Sequence, residues 1–282
     1  MVLRIGLSVA ICLAIIACPF LIKSANEIND IVFYPEDLTQ SGIDVSEQQE
    51  IIPEVQTERE EQTIQEPPNP KPEYAKYLLA NANVNLRSGA GTGYKILATL
   101  EKGGIVSGRG QSGDWYETVY KNQKAYVHKK YVTPFFIQKT TPALENVIAT
   151  GERLLGFPYV YGAARVVFEN GTENKAFNSK KYDCSSLTQY CFYKGAGKVI
   201  GLTTRAQYYD GKRIGFDELK RGDLMLFTNS SRYYNTGIER IGHVAIYLGD
   251  GYILHTASDF ARIEKLTAAR KKNFIVGVRV TL

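Results

Sequence analysis

The stretch HVAIYLGDGYILHT, residues 243–256, restricts the possible folds of this chain more than any other segment. Two runs of aliphatic and aromatic residues flank Gly-Asp-Gly, a strong signal for a hairpin of antiparallel strands. Each run contributes one histidine, His243 and His255. A three-residue loop at 249–251 would pair His255 with Ala245 and place both histidines on one face, roughly 7–8 Å apart at Cα. A two-residue loop would place them on opposite faces unless a bulge restores the register.

The segments around this hairpin predict a mixed domain. Residues 142–156 have the apolar spacing of a helix that ends at glycine, and residues 185–197 are typical of a helix stopped by glycines. The sequences DLMLF at 223–227 and FIVGVRV at 274–280 are typical of strands. Helices followed by a run of antiparallel strands indicate an α+β fold for this part of the chain.

Residues 79–136 show a different pattern, in which glycines separate short apolar runs, as in VNLRSGAGTGYKILATLEKGG. Strands of this length with frequent turns predict a small all-β barrel. We interpret His128 in this segment as a strand residue without a catalytic part.

The charge of the chain is unevenly divided. Residues 26–75 hold 13 acidic and two basic side chains in a sequence rich in Glu, Gln, Thr and Pro. Such a segment cannot bury a core, so we predict a disordered tether that is extended at its Pro-rich end. Residues 76–282 carry 30 basic and 16 acidic groups, a net charge of +14. This charge suits nucleic acid, anionic lipid or an anionic cell wall, or serves solubility alone.

The first 25 residues are typical of an export segment, with an apolar run from Ile5 to Ile22 after Arg4. Three explanations stay open. The first is a cleaved signal peptide, although no small-x-small site follows the run. The second is a lipoprotein signal, since IIAC ending at Cys18 resembles a lipobox. The third is an uncleaved anchor, since about 27 Å of helix just spans a bilayer. The apolar PFLI after Cys18 favours the anchor, and a buried core helix is the alternative without export.

Two of the four cysteines lie in that segment, which leaves Cys184 and Cys191. If the residues between them are helical, the two lie about 10 Å apart along the axis, beyond the Cα separation of about 7 Å that a disulfide allows. Cys184 follows Asp183 at the predicted helix start, where backbone N–H groups stabilise an anion, so we expect its pKa below the usual value of about 8.5. Cys191 is predicted to pack on the inner face as a small hydrophobe.

A cysteine with two histidines can act in nucleophilic catalysis. One imidazole would take the proton of the Cys184 thiol and the other would orient the first, provided that the hairpin places both on one face. Zinc binding is a weaker alternative, because the sequence has no C-x-x-C or H-x-x-x-H pair. The remaining interpretation is that the histidines are ordinary strand residues.

The motifs DCSSLTQYCF, RGDLMLF and GHVAIYLGDGYILHT occur in the order found in NlpC/P60 cysteine peptidases, which the chain resembles from about residue 145 to 282. VNLRSG and the later WY and YVH resemble a bacterial SH3 domain. The resemblance implies an α+β fold, with a papain-like NlpC/P60 catalytic domain preceded by a small all-β SH3-like barrel. The predicted organisation is an anchor segment at 1–25, a linker at 26–78, an SH3 domain at 79–136 and a peptidase domain at 137–282.

The same resemblance implies catalytic roles for individual residues. Cys184 matches the nucleophile, His243 the base and His255 the third residue, which orients the base. Tyr159 matches a tyrosine that lines the family's site and helps to hold the oxyanion.

Asp183 and Ser185 match positions that bind the free amine of a terminal L-alanine in some members with an SH3 domain. A helix cap is the alternative for Asp183 and needs no substrate. The chain departs from the family pattern in two long loops, at 165–182 and 228–240, which would flank the cleft and influence substrate choice.

These features predict an exported peptidoglycan hydrolase, a cysteine endopeptidase that cuts stem peptides at the D-γ-glutamyl–diamino acid bond. The expected partners are stem peptides and, through the N-terminal segment, a membrane, rather than nucleic acid. The chemistry requires no metal or cofactor. A papain-like amidase or acyl transferase on wall substrates and a non-catalytic wall-binding protein are the alternatives.

Overall fold

A computed structural model describes residues 73–282 of the chain. The predicted anchor, the lipidation at Cys18 and nearly all of the predicted linker lie outside the described residues. Within 73–282, no helix combines the length and the apolar character needed to cross a membrane. The described part consists of two adjoining regions, each with its own sheets.

The first region is all β. Its elements are β1 (Tyr74–Ala80), β2 (Val84–Arg87), β3 (Ile96–Leu100), β4 (Ile105–Ser107), β5 (Gly110–Ser112), β6 (Trp115–Tyr120), β7 (Gln123–His128), a 3-10 turn (Lys129–Tyr131) and β8 (Val132–Gln138). They form a five-stranded sheet in the order β3-β2-β7-β6-β5 and a three-stranded sheet in the order β4-β1-β8. Buried Leu78, Leu86, Ile105 and Val127 are part of its core. The predicted small β domain is confirmed, although its first strand begins at Tyr74, within the segment predicted as linker.

The second region is α+β, as predicted. Its elements are α1 (Pro142–Arg153), α2 (Cys184–Ala196), β9 (Gly211–Ile214), β10 (Leu224–Phe227), β11 (His243–Gly249), β12 (Tyr252–Ala257), β13 (Phe260–Lys265), α3 (Ala268–Lys272) and β14 (Phe274–Val280), with 3-10 turns at Gln207–Tyr209, Phe216–Glu218 and Gly237–Arg240. The strands form one antiparallel sheet in the order β13-β12-β11-β10-β14-β9. Helix α2 packs against α1 and against β11 and β12.

The close approach of α1 and α2 depends on a glycine. A Cβ at Gly195 would lie 2.5 Å from the Cα of Val147, so a larger residue would force the helices apart. Thr141 caps α1 and Pro142 occupies its first turn. Helix α2 ends at Gly197, which has a φ of 66°. Both predicted helices are confirmed, and their contact holds α2 against the sheet.

The hairpin of β11 and β12 has a two-residue turn together with a bulge. Ile246 pairs with Leu254 and Gly249 pairs with Tyr252, with a register shift between Tyr247 and Gly249. The two turn residues both have positive φ, as two-residue hairpin turns require. The structure therefore has the two-residue turn with a bulge, one of the two arrangements that the sequence left open, and not a three-residue loop. The extra residue in the first strand nevertheless gives the register that such a loop would give, so both histidines share one face as predicted.

A buried charge network joins the two regions, and we call it the junction network. Arg221 donates from Nε and Nη2 to the two carboxylate oxygens of Glu145, at 2.7 and 2.8 Å. Its Nη2 also lies 3.1 Å from the hydroxyl of Tyr77 on β1, which donates to Glu152 at 2.9 Å. Arg109 approaches the other oxygen of Glu152 at 3.4 Å. Of the two carboxylates on α1, Glu145 is thus bound to Arg221, and Glu152 is bound to Tyr77 and Arg109 of the barrel.

Candidate active site

Cys184 is the first residue of α2 and is a free thiol with 8% of its surface exposed. Asp183 caps the helix, since its Oδ1 accepts the backbone N–H of Ser186 and the Oγ of Ser186 accepts the backbone N–H of Asp183, both at 2.8 Å. This capping box fixes the first turn. The backbone N–H groups of Ser185 and Val244 are directed at the sulfur, so the thiol lies between the start of α2 and β11.

The electrostatics at Cys184 differ from the expectation drawn from the sequence. Burial, and then the charge of Asp183, raise the pKa of the thiol to about 11, and the backbone N–H groups offset only part of this rise. The predicted lowering of the pKa was therefore wrong, because residue spacing indicates a helix start but not how deeply the sulfur is buried. The resting thiol is neutral at pH 7, so a role as nucleophile would require a base that takes its proton.

Three side chains from successive strands form a line that we call the histidine relay. His243 begins β11, and its Nε2 lies 3.1 Å from Nδ1 of His255 on β12. His255 is fully buried, and its Nε2 lies 3.3 Å from Oε1 of Glu264 on β13, within ion-pair range although not aligned as an ideal hydrogen bond. Because His255 pairs directly with Arg262 across the strands, Glu264 reaches it as the diagonal neighbour.

The partners of the relay determine its protonation. Burial opposes a charge on Glu264, but the neighbouring His255 and the charge of Arg270 lower its pKa to about 2, so it is an acceptor at neutral pH. Burial lowers the pKa of both histidines, so both imidazoles are neutral at pH 7. If His255 donates from Nε2 to Glu264, its Nδ1 accepts the Nε2–H of His243. This assignment leaves Nδ1 of His243 as a free proton acceptor.

Two cavities of about 450 Å³ each meet at Tyr159 and Cys184. The cap-side cavity is lined by residues of the helix cap and of both long loops, among them Arg165, Asp183, Ser185, Arg205 and Arg232. The histidine-side cavity is lined by residues around the start of β11, among them Phe227, Thr228, His243 and Arg270. An extended chain bound across both cavities would therefore pass over the Cys184 sulfur.

The structure brings the predicted substrate-binding residues to this cleft. Tyr159 is half-buried and lines both cavities. Asp183 and Ser185 line the cap-side cavity, where Arg165 binds them, with Nη1 at 2.9 Å from Oδ2 of Asp183 and Nη2 at 2.8 Å from Oγ of Ser185. The helix cap is thus observed for Asp183, and its contact with a substrate stays a prediction.

Two residues of the site were missed from the sequence. Glu264 lies on a short strand after the hairpin, and the register of β13 against His255 was the signal that could have found it. Arg165 begins the first long loop, and nothing in its sequence neighbourhood points to the carboxylate 18 residues later that it binds. Of the residues predicted from the sequence, the cleft and the relay together contain Tyr159, Asp183, Cys184, Ser185, His243 and His255.

Two family models match this chain. The model of the NlpC/P60 family matches residues 156–280, and the model of the bacterial SH3 domain matches residues 82–133. A gamma-DL-glutamyl hydrolase of Bacillus subtilis (strain 168) is 27% identical over 192 residues, which make up 67% of this chain and 39% of the relative. A gamma-D-glutamyl-L-lysine dipeptidyl-peptidase of Bacillus cereus (strain ATCC 10987 / NRS 248) is 32% identical over 136 residues, 48% of this chain and 35% of the relative.

The chain therefore spans less than half the length of these curated relatives. Among solved structures, an NlpC/P60 family protein from Bacillus cereus ATCC 10987 aligns with 73% of this chain and 63% of its own, with a TM-score of 0.38 and 24% identity. The order of the two matched regions agrees with the order of the β barrel and the α+β region in the fold. Residues 156–280 are thus an NlpC/P60 family domain, and a bacterial SH3 domain precedes it in the chain.

Proposed function

We propose that this protein is a peptidoglycan hydrolase, a cysteine endopeptidase that cuts stem peptides between D-γ-glutamate and the diamino acid. The observation that carries the proposal is the histidine relay, in which His243 Nε2 lies 3.1 Å from His255 Nδ1 while His243 and Cys184 line one cavity. The names of two relatives, a gamma-DL-glutamyl hydrolase and a gamma-D-glutamyl-L-lysine dipeptidyl-peptidase, support a γ-glutamyl bond as the target.

The first half of the reaction transfers the acyl group to Cys184. Nδ1 of His243 takes the thiol proton while the sulfur attacks the carbonyl carbon, and the carbonyl electrons move to the oxygen. Backbone N–H groups at the start of α2 and the hydroxyl of Tyr159 are the donors proposed for this oxyanion. The C–N bond then breaks as the His243 imidazolium returns the proton to the leaving amine, which yields a thioester and a free diamino acid.

The second half of the reaction releases the acyl group. A water molecule attacks the thioester carbonyl carbon while His243 takes its proton, and the C–S bond breaks as the proton returns to the sulfur. His255 and the charge of Glu264 hold the imidazole ring in place and stabilise its charged form in both halves. None of these steps uses a metal or a cofactor.

We propose that the protein acts outside the cytoplasm. The net charge of +14 on residues 76–282 suits an anionic wall, and the acidic linker would give the folded part reach. The anchor at 1–25, the lipidation at Cys18 and the domain limit at 136/137 stay predictions, whereas β1 begins at Tyr74, before the predicted limit at 78/79. Edman sequencing and mass measurement of the protein isolated from its native host would separate a cleaved, a lipidated and an intact N-terminus.

The test is digestion of purified peptidoglycan by the full-length chain, with the products identified by mass spectrometry. We expect fragments that end in D-glutamate and new free amines on the diamino acid. Cys184→Ala should lower the rate by about 10³-fold or more, since the nucleophile is lost. Cys191→Ala is the matched control, because this buried thiol lies on the same helix and should leave the products unchanged.

Other products would point to other functions. Cleavage at an amide outside the stem peptide would favour the amidase, and transfer of the acyl group to an added amine would favour the transferase. If the full-length chain binds the wall but cuts neither whole peptidoglycan nor stem-peptide fragments, the protein is a wall-binding protein and Cys184 has no catalytic role.

A further inference from the structure

A third cavity, of about 430 Å³, shares no lining residue with the two cavities at Cys184, and we call it the basic cavity. Four of its lining residues are basic, namely Lys121, Arg153, Lys180 and Lys194, and within residues 73–282 none is acidic. We infer that the basic cavity binds an anionic polymer of the cell wall through its phosphodiester groups. This second site goes beyond the proposed function and takes from it only the location at a wall.

The walls of the basic cavity come from both domains and are fixed to each other. The turn between β6 and β7 supplies Lys121, whose backbone N–H donates to the carbonyl of Leu155 at 2.8 Å. The N–H of the next residue, Asn122, donates to the carbonyl of Arg153 at 2.8 Å. Both carbonyls lie at or just beyond the C-terminal end of α1, where partial negative charge would repel an anion. The barrel therefore shapes the cavity and also occupies these two carbonyls.

The positive charge of the basic cavity is largely uncompensated. Nζ of Lys194 lies 3.5 Å from Oε1 of Glu173, but both side chains are exposed, so the pair is weak. Lys121, Arg153 and Lys180 form no salt bridge with any residue that the structure describes. All four basic residues are exposed and can turn toward a ligand. Their fields add in one concave site, which favours an anion with several charges.

The floor of the basic cavity is apolar. Phe157 and Tyr190 are half-buried there, beside the buried Leu154. The carbon backbone of a polyol or a sugar can pack on this floor while the basic rim binds the attached charges. A phosphodiester keeps its negative charge at neutral pH, and its two free oxygens accept charge-assisted hydrogen bonds from Arg and Lys. A polymer of polyol phosphates therefore combines the two features that the cavity offers.

Two other ligands fit the basic cavity less well. A stem peptide carries an ammonium group beside its carboxylates, and the described lining holds no acidic side chain to bind it. Nucleic acid is also a phosphodiester polymer, but proteins that bind single strands stack successive bases on aromatic rings. The two rings here form part of a floor and are only half-exposed. The proposed location outside the cytoplasm also favours a wall polymer over nucleic acid.

The test measures the binding of a glycerol-phosphate oligomer of about ten units to the full-length chain by calorimetry. We expect a Kd of about 10–100 µM at about 50 mM salt, the range of non-specific phosphate contacts. Binding should be about 20-fold weaker at about 200 mM salt, which corresponds to about three phosphate contacts. Single-stranded DNA and poly-γ-glutamate with the same number of charges are the comparison ligands, and each should bind about fivefold more weakly than the oligomer.

Variants of the lining residues locate the binding. Lys121→Gln/Arg153→Gln should raise the Kd for the oligomer about tenfold, since two charge-assisted contacts are lost. Lys95→Gln/Lys212→Gln is the matched control, because it removes the same charge from one exposed position in each domain outside the cavity. It should raise the Kd less than about twofold. Circular dichroism verifies each fold, and if the first variant unfolds, Lys180→Gln on the exposed loop decides, with an expected rise of about threefold.

No binding of the oligomer, or an equal loss in the two double variants, overturns the inference, because the charge would then act diffusely over the surface. Tighter binding of DNA or of poly-γ-glutamate also overturns it, since the ligand would then be a nucleic acid or a carboxylate polymer. The measurement needs no cleavage. Oligomer binding by a chain that does not digest peptidoglycan would support the inference while the proposed function fails, and digestion without oligomer binding would do the reverse.

Discussion

The protein contains two buried charge networks that use similar residues for different ends. In the junction network, Arg221 is bound to Glu145, to Tyr77 and to the backbone carbonyl of Leu248, and it lies under the contact of barrel and helix. In the histidine relay, His255 is fully buried and Glu264 is partly exposed, and the line begins at His243, which lines the histidine-side cavity.

The difference between the networks lies in what is left unsatisfied. The donors of Arg221 and the carboxylate of Glu145 have partners inside the protein, so we expect this network to affect stability and not the reaction. In the proposed reaction, Nδ1 of His243 takes a proton, and the charge of Glu264 would stabilise the imidazolium that forms. If the proposed function is right, burial serves stability in the junction network and catalysis in the relay.

Removing Arg221 should give the largest change in stability. In Arg221→Met, Glu145 stays half-buried without its partner, so we expect a loss of about 3–5 kcal/mol in the free energy of unfolding. Urea unfolding followed by circular dichroism measures this loss, with the exposed Arg213→Met as the control. The kcat/KM of the protein that remains folded should match the parent value. A large fall in kcat/KM without a loss of stability would show that the junction network takes part in catalysis.

Removing the charge of Glu264 should give the opposite pattern. In Glu264→Gln we expect kcat to fall about 10- to 100-fold with little change in KM, since the imidazolium loses its stabilising anion. The free energy of unfolding should change by only about 1 kcal/mol, because the ion pairs of Glu264 with Arg262 and Arg270 are partly exposed. Exposed Glu169→Gln is the control.

The pH profile of Glu264→Gln separates positioning from simple structural damage. The carboxylate raises the pKa of His243 and of His255, so its loss should move the acid limb of the kcat/KM profile to lower pH. A profile that only drops in height, without moving, would mean that Glu264 supports the fold alone.

Local patterns in the sequence predicted the elements of the site better than its electrostatics. The helix at 184–196 and the shared face of the two histidines follow from apolar spacing and from the Gly-Asp-Gly turn, and both are observed. The pKa of Cys184 was predicted in the wrong direction, because burial by β11 and the charge of Asp183 outweigh the helix start. Such burial depends on contacts between segments that are distant in the chain.

The same reason explains the residues that were missed. Arg165 and Glu264 act through partners 18 and nine positions away, on other elements, so no local pattern marks them. The start of the barrel at Tyr74 was also missed, since the Pro-rich composition before it indicates a linker. The strand forms there because it pairs along its whole length with β8 and buries Tyr77 and Leu78 in the core.

A glutamate-to-glutamine change in the junction network, Glu152→Gln, should have the smallest effect on stability and activity. Burial raises the pKa of Glu152, so its charged form opposes folding at neutral pH even though Tyr77 donates to it. A group with a raised pKa contributes stability below its unfolded value of about 4.5 and loses it as pH rises through the folded value. Glu152→Gln, which still accepts from Tyr77, should therefore be neutral or up to about 1 kcal/mol more stable than the parent at pH 7, and this gain should vanish at pH 4.

Urea unfolding of the parent and of Glu152→Gln at both pH values measures this difference, while kcat/KM should stay at the parent value. A loss of more than about 2 kcal/mol at pH 7 would mean that the ion pair with Arg109 outweighs the burial of the charge. If Glu152→Gln lost as much activity as Glu264→Gln, the proposed division of the two networks into a stabilising one and a catalytic one would be wrong. Glu152 contacts Tyr77 of the barrel and lines neither the cap-side nor the histidine-side cavity. We therefore expect Glu264→Gln to change the reaction, and Glu152→Gln to change only the pH dependence of folding.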